Sequence, residues 1–189
     1  AGYPFNVDER VLIPRSPMGE LIEDGFAAWF PEEPPERVLD LCTGSGCIGI
    51  ATALYLPTCE VTLADISQEA LGVARENITR HAVGDRVRAV ESDVFANLAG
   101  QRFDLIVSNP PYVPCADIPE LAPEICRYEP ASALDGGPDG LSAIRCLIDA
   151  APACMKNGAK LYMEIGEGQS APVRELLARC PKLAEGRFI

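Results

Sequence analysis

The sequence lacks the clustered Cys and His of a zinc site and the excess of cations of a nucleic-acid site. Its 189 residues include a single histidine, His81, and the eight cysteines form no Cys-x-x-Cys pair. Zinc sites draw on closely spaced Cys and His, so no metal is expected. Lys and Arg number 16 against 28 Asp and Glu, for a formal net charge of −12. Nucleic-acid binding requires cations to neutralise phosphates. Direct contact with nucleic acid is therefore not expected, whereas a basic protein partner is compatible with the charge. No apolar run approaches the roughly 20 residues of a membrane span. The N-terminus, Ala1-Gly2-Tyr3-Pro4-Phe5-Asn6, lacks the basic region and apolar stretch of a signal peptide. Internal repeats and low-complexity tracts are also missing.

What is present suits one domain with a real core: 48% hydrophobic and 23% charged residues. The cysteines sit mostly in apolar contexts, as at Cys42, Cys47, Cys146 and Cys154. There a free thiol acts as a small hydrophobe. The expectation is eight reduced thiols in a cytoplasmic monomer. His81, at a helix end, reads as a surface residue.

Strand-like and helix-like runs alternate, which predicts a doubly wound α/β fold around a mostly parallel sheet. Val11 to Arg15 is extended. Ser16 caps a helix with Pro17 at its first position, and Leu21, Ile22, Phe26, Trp29 and Phe30 recur at helical spacing. Pro31 to Pro35 reads as a linker, dividing a leading segment, 1–35, from the main body, 36–189. Strands are predicted at Val38–Leu41, Val61–Asp65, Val87–Val90, Phe103–Asn109 and Ala159–Ile165. Helices are predicted over Ile48–Leu56, after Ser67, from about Leu141, and over Pro172–Cys180. Val113 to Gly140 reads as a long irregular stretch, with Asp135 and Asp139 as turn formers. Phe188-Ile189 could begin a further strand.

The loop after the first predicted strand carries Gly44-x-Gly46-x-x-Gly49. Gly44 and Gly46 let the backbone turn tightly and approach a ligand, and a helix N-terminus follows. The pattern also fits a dinucleotide fingerprint. Asp40 argues against that alternative, because a carboxylate beside a pyrophosphate is unfavourable while one beside an ammonium or sulfonium is favourable. Asp65 ends the second strand, where an acid accepts from ribose hydroxyls. Asp93, past the third, is placed to accept from an adenine amino group. Each acid also has a local reading: Asp65 as a helix cap, Asp93 as a turn residue. Three acids at three successive strand ends favour a ligand site.

Asn109-Pro110-Pro111-Tyr112 follows the fourth predicted strand. The prolines fix φ and donate no N–H, and Pro110 pushes Asn109 out of the α region. The turn can present the Asn109 side-chain oxygen and the Pro110 carbonyl to a planar NH2 group, with Tyr112 as a flat face against it. Arg15 reads either as a group closing the site over its ligands, or as a surface charge at a helix start.

With these motifs together, the chain resembles the HemK-type protein-(glutamine-N5) methyltransferases. The resemblance is carried by Asp40 to Gly46, Ser92 to Phe95 and Asn109 to Val113, with Leu12 to Arg15, Glu129-Pro130, Ala133 to Gly137, Asp139-Gly140 and Glu164 to Gly166. It implies a Rossmann-like class I fold and S-adenosylmethionine as cofactor, with S-adenosylhomocysteine as product. The implied cofactor residues are Asp40, Thr43, Gly44, Gly46, Asp65, Ile66, Asp93, Val94 and Asn109. Arg15, Asn109, Pro110, Pro111 and Tyr112 would hold the substrate, with Asn109, Pro110 and Tyr112 catalytic. The implied substrate is a glutamine in a ribosomal protein or in the Gly-Gly-Gln loop of a peptide-chain release factor, and the segment Val7 to Pro17 looks more like the ribosomal-protein branch. The family's N-terminal helical domain is missing and its C-terminal hairpin is absent or only begun, so a truncated chain is expected. Cys42 stands where many relatives carry Gly. The Asn-Pro-Pro-Tyr element is shared with nucleobase amino methyltransferases, which remain the alternative. A noncatalytic cofactor-binding scaffold would have no reason to keep it.

Overall fold

The computed structural model describes residues 2–183 and 186–188; Ala1 and Ile189 lie outside them. Five parallel strands form one sheet in the order β3-β2-β1-β4-β5. They are β1 (Arg37–Leu41), β2 (Glu60–Asp65), β3 (Val87–Glu91), β4 (Phe103–Ser108) and β5 (Met155–Met163). Each predicted strand is found. The largest shift is in β5, which starts four residues early and ends two early. Helices α1 (Met18–Glu23), α2 (Cys47–Tyr55), α3 (Gln68–Arg80), α6 (Ser142–Cys154) and α7 (Ser170–Ala178) surround the sheet. The stretch 113–140 holds two single-turn helices, α4 (Pro123–Cys126) and α5 (Ala131–Leu134).

Successive strand residues point to opposite faces, which divides the core in two. Val38, Val61, Leu63, Leu105 and Val107 pack with α1, α2 and α3 residues such as Ile22, Ile50 and Ala74. Leu39, Leu41, Phe103 and Ile106 pack with Leu147, Ala151 and Cys154 of α6. The strand order changes direction at the β1/β4 boundary, and ligands in open parallel sheets bind outside the strand C-termini at such a switch. The loops leaving β1 and β4 carry the Gly-rich turn and Asn109.

Two expectations change. The helix expected to run on toward Phe30 ends at Glu23. The backbone turns left-handed at Gly25 (φ 60°) and Phe26 (φ 57°), which lets Phe26 enter the core at 1% exposure. Phe188 forms no strand; its ring lies under the Arg174 guanidinium, 4.4 Å from the ring centre.

Residues before α1 lie along α3. Asn77 receives the Asn6 N–H (2.8 Å) and donates to the Asn6 and Ser45 carbonyls. His81 is half-buried, its ring nitrogen 3.0 Å from the Pro4 carbonyl and its ring against Phe5. It anchors this arm. The arm's continuation, residues 10–16, passes over the C-terminal edge of the sheet.

Candidate active site

A cavity of about 210 Å³ opens at the switch point. Its floor is the β1 loop, with Cys42, Thr43, Gly44 and Ser45. One wall is Asp65, Ile66, Asp93 and Val94; the other is Asn109, Pro111, Pro130 and Ala133. Arg10 to Ser16, apart from Ile13, form the roof.

The floor is built around Asp40. It shares the β1 face of Val38 and so points toward α2. Its Oδ2 accepts from Thr43 Oγ1 (2.6 Å) and from the Gly49 N–H (2.8 Å), tying the loop to the first turn of α2. Oδ1 is buried and has no partner among the described residues. Burial pushes this carboxyl up to about 7, against those two hydrogen bonds, and the charge of Asp65 adds to the rise. Asp40 lies beneath the cavity rather than in its wall. It shapes the loop and puts one unsatisfied carboxylate oxygen under it, a feature suited to a cation above.

Gly44 and Gly46 have φ of 55° and 79°. A Cβ on Gly44 would meet nothing within 4 Å, whereas one on Gly46 would come 3.0 Å from Ile50 and Leu63. Gly44 thus leaves ligand space and Gly46 allows helix packing. Cys42 also lies at φ 57°, a conformation that favours glycine. Cys42 and Cys47 are partly buried and line the cavity, Cys47 also packing against the core, whereas Cys146 is exposed, contrary to expectation. Cys154 is buried as expected. Burial pushes the Cys42 thiol up to about 12, with further rises from Asp65, Asp40 and Asp93. The three predicted acids therefore converge on one place.

Asp65 accepts from the Gly44 N–H through Oδ2 and from the Ser67 N–H through Oδ1, both at 2.9 Å. It fastens the Gly-rich turn to the start of α3, whose cap is Ser67 and not Asp65 (the Ser67 Oγ accepts from the Ala70 N–H), and each Asp65 oxygen keeps acceptor capacity. Ile66 is 62% exposed beside it and supplies an apolar surface. Asp93 is exposed in the wall. Val94 has φ 48°, strained for a β-branched residue. Ser92 holds this bend by donating to the Val94 carbonyl and accepting from the Asn97 N–H.

Asn109 and Pro111 line the cavity; Pro110 is buried and Tyr112 half-buried, neither in the wall. The Asn109 side chain makes no hydrogen bond or ion pair among the described residues. Tyr112 packs toward Leu141, Ile144 and Val173, and its hydroxyl donates to Glu164 Oε1 at 3.3 Å. The turn is pinned from behind by Gln169, whose Nε2 donates to the Tyr112 carbonyl (3.0 Å) and the Gly140 carbonyl (3.2 Å). Asp135 and Asp139 are turn formers as expected, accepting from the N–H groups of Gly137 and Leu141.

Arg15 forms part of the roof. It donates to Glu129 Oε1 at 2.8 Å, while Glu129 Oε2 accepts from the Ile13 N–H at 3.1 Å. The Glu129 side chain is 4% exposed and that of Arg15 54%. The arm is thus strapped across the cavity to the segment before Pro130. Glu129 and Glu164 stand in segments that support the family resemblance, but the sequence assigns them no role. Gln169 gives no sequence signal.

Residues 25–127 match the model of the methyltransferase small domain. The chain belongs to that family. A "Ribosomal protein uL3 glutamine methyltransferase" of Francisella tularensis subsp. tularensis is 48% identical over 97% of this chain and 57% of its own length. A Xylella fastidiosa protein of the same name is 46% identical over 93% and 56%. The chain spans a little over half the length of these relatives. The hMettl16 catalytic domain, solved with a MAT2A 3'UTR hairpin, superposes with a TM-score of 0.73 at 16% identity, covering 94% of this chain and 67% of that one. Ribosomal protein L11 methylase from Lactobacillus delbrueckii subsp. bulgaricus superposes at 0.62 and 20%, covering 89% and 70%. The fold is that of the class I S-adenosylmethionine-dependent methyltransferases.

Proposed function

We propose that this chain carries the methyl-transfer site of an enzyme that binds S-adenosylmethionine and methylates the side-chain nitrogen of a glutamine in a ribosomal protein, with uL3 as the target. One observation carries the reading: Asn109, with no hydrogen bond of its own among the described residues, stands in the wall of a cavity floored by a Gly-rich turn, with Asp65 and Asp93 in the other wall and Asp40 beneath. The names of the relatives direct it to uL3.

The residues fit the cofactor. The space above Gly44, the exposed Ile66, and the acceptors Asp65 and Asp93 suit an adenosine; the unpartnered Asp40 Oδ1 suits a cation. When bound, S-adenosylmethionine supplies an electrophilic methyl group. Asn109 and the Pro110 carbonyl accept from the glutamine NH2 and hold it still. Tyr112 and Gln169 keep that turn in place. Catalysis is then positioning and electrostatics, without a strong base. The division is a leading segment, 1–35, whose residues 10–16 roof the site, and a catalytic body, 36–189. A release-factor glutamine is the finer alternative, and the charge of −12 sets the nucleobase reading behind both.

The test is transfer of labelled methyl from S-adenosylmethionine, with uL3, a release factor and ribosomal RNA offered in parallel and the modified residue mapped. Label on a uL3 glutamine is expected. Label on the release factor moves the target, and label on RNA alone refutes the reading. The setting would be the cytoplasm, where ribosomal proteins are made. No helix among the described residues is long and apolar enough to cross a membrane.

A further inference from the structure

The end of β5 carries a carboxylate that the mechanism above leaves unused. The Glu164 N–H donates to the Ser108 carbonyl at 2.9 Å, which sets Glu164 beside Asn109 on the neighbouring strand end. Its Oε1 accepts from the Tyr112 hydroxyl; its Oε2 is buried and has no partner among the described residues. No ion pair among the described residues neutralises it, since the nearby Arg15 is engaged by Glu129.

An unpartnered buried carboxylate oxygen carries a desolvation penalty. Glutamine would accept the same hydroxyl bond with no charge to desolvate, so the bond to Tyr112 does not explain the charge. The chemistry does. The amide lone pair forms the new C–N bond, the S–C electron pair stays with sulfur, and one N–H proton leaves to water. Until that proton leaves, the amide group carries positive charge. A fixed negative charge near a poorly solvated site favours it.

We propose that Glu164 is a positioning residue of the transfer: it holds the Tyr112 hydroxyl and places an unneutralised negative charge behind the Asn109–Tyr112 turn. This rests on the glutamine reading.

The experiment compares wild type with Glu164→Gln, Glu164→Ala and Glu164→Asp in methyl transfer to uL3 at saturating cofactor, with S-adenosylhomocysteine affinity measured in parallel. Glu164→Gln should lower kcat roughly tenfold or more, with cofactor affinity unchanged. Glu164→Asp, which keeps the charge, should retain more turnover than Glu164→Gln. A second readout is the Tyr112 phenol, held above its ordinary value by burial and by Glu164. In carbon-13 tyrosine spectra it should titrate at lower pH in Glu164→Gln. Wild-type kcat in Glu164→Gln, or Glu164→Gln outperforming Glu164→Asp, overturns the proposal. If Glu164→Gln does not fold, Asp against Ala decides, and equal turnover of those two overturns it as well. A wild type that labels no glutamine removes the underlying reading; a working wild type with an indifferent Glu164→Gln removes only this step.

Discussion

Asp40→Asn should separate what a buried carboxylate costs the fold from what it gives a ligand. Asp40 is fully buried, and desolvation pushes its carboxyl from 3.8 up to about 7. The folded pKa lies above the unfolded one. Between about pH 4 and 7 the folded chain therefore holds a proton that the unfolded chain has lost, so stability falls as pH rises through that window and levels off above it. At about 1.4 kcal/mol per unit, the penalty above the window is on the order of 4 kcal/mol. Asparagine has nearly the same shape, keeps an acceptor for Thr43 or Gly49, and does not ionise. Urea unfolding should therefore show the variant flattening the decline between about pH 4 and 7 and exceeding wild type at and above the upper end. Ligand binding should move the other way. S-adenosylhomocysteine carries an ammonium, and its affinity should drop in the variant. Near neutral pH, wild type should release part of a proton on binding, seen as calorimetric heats that vary with the buffer's ionisation enthalpy; the variant should not. An unchanged pH slope would refute the burial account. Unchanged affinity and proton release would leave Asp40 with the loop alone.

Asn109→Ala should lower methyl transfer on the order of a hundredfold at saturating cofactor, and Asn109→Asp less, with S-adenosylhomocysteine affinity little changed. Near-normal turnover would reduce the tetrapeptide to a rigid turn. Glu129→Ala should loosen the strap and speed S-adenosylhomocysteine dissociation in stopped flow. Arg15→Ala should do so less, because its own end of the pair is 54% exposed and such pairs contribute little; equal rates in all three proteins would show that the arm is no roof. Thiol titration in denaturant without reductant should count all eight cysteines. In the native protein the exposed Cys115 and Cys146 should react first, ahead of Cys42 and Cys47, whose thiols burial holds at about 12.

The strands were legible because each is a short apolar run between turn signals, and a parallel sheet buries both faces. The α1 boundary was not. Phe26 keeps helical spacing with Ile22, yet it reaches the core through a left-handed turn, and periodicity does not distinguish the two routes. Gln169 was invisible for a related reason: it bonds to a carbonyl 57 residues away, and only the packed loops bring them together.

The three acids show where legibility stops inside the site itself. Their convergence followed from the sequence, because residues at consecutive parallel strand ends must emerge on one edge. Their division of labour depends on orientations that the sequence does not reveal. Asp40 shares the face of Val38, so it turns under the loop toward α2 and gives one oxygen to Gly49. Asp65, at the end of β2, spends a bond on Gly44 and another on Ser67. Asp93, beyond β3 and exposed, lines the cavity wall. From β1 outward the carboxylates become less buried and less committed to the fold. The innermost suits a charge, the middle one hydroxyls, and the outermost the edge of a base. One cofactor that carries a cation, a ribose and an adenine matches that gradient from end to end; a dinucleotide, with a pyrophosphate at the Gly-rich turn, does not.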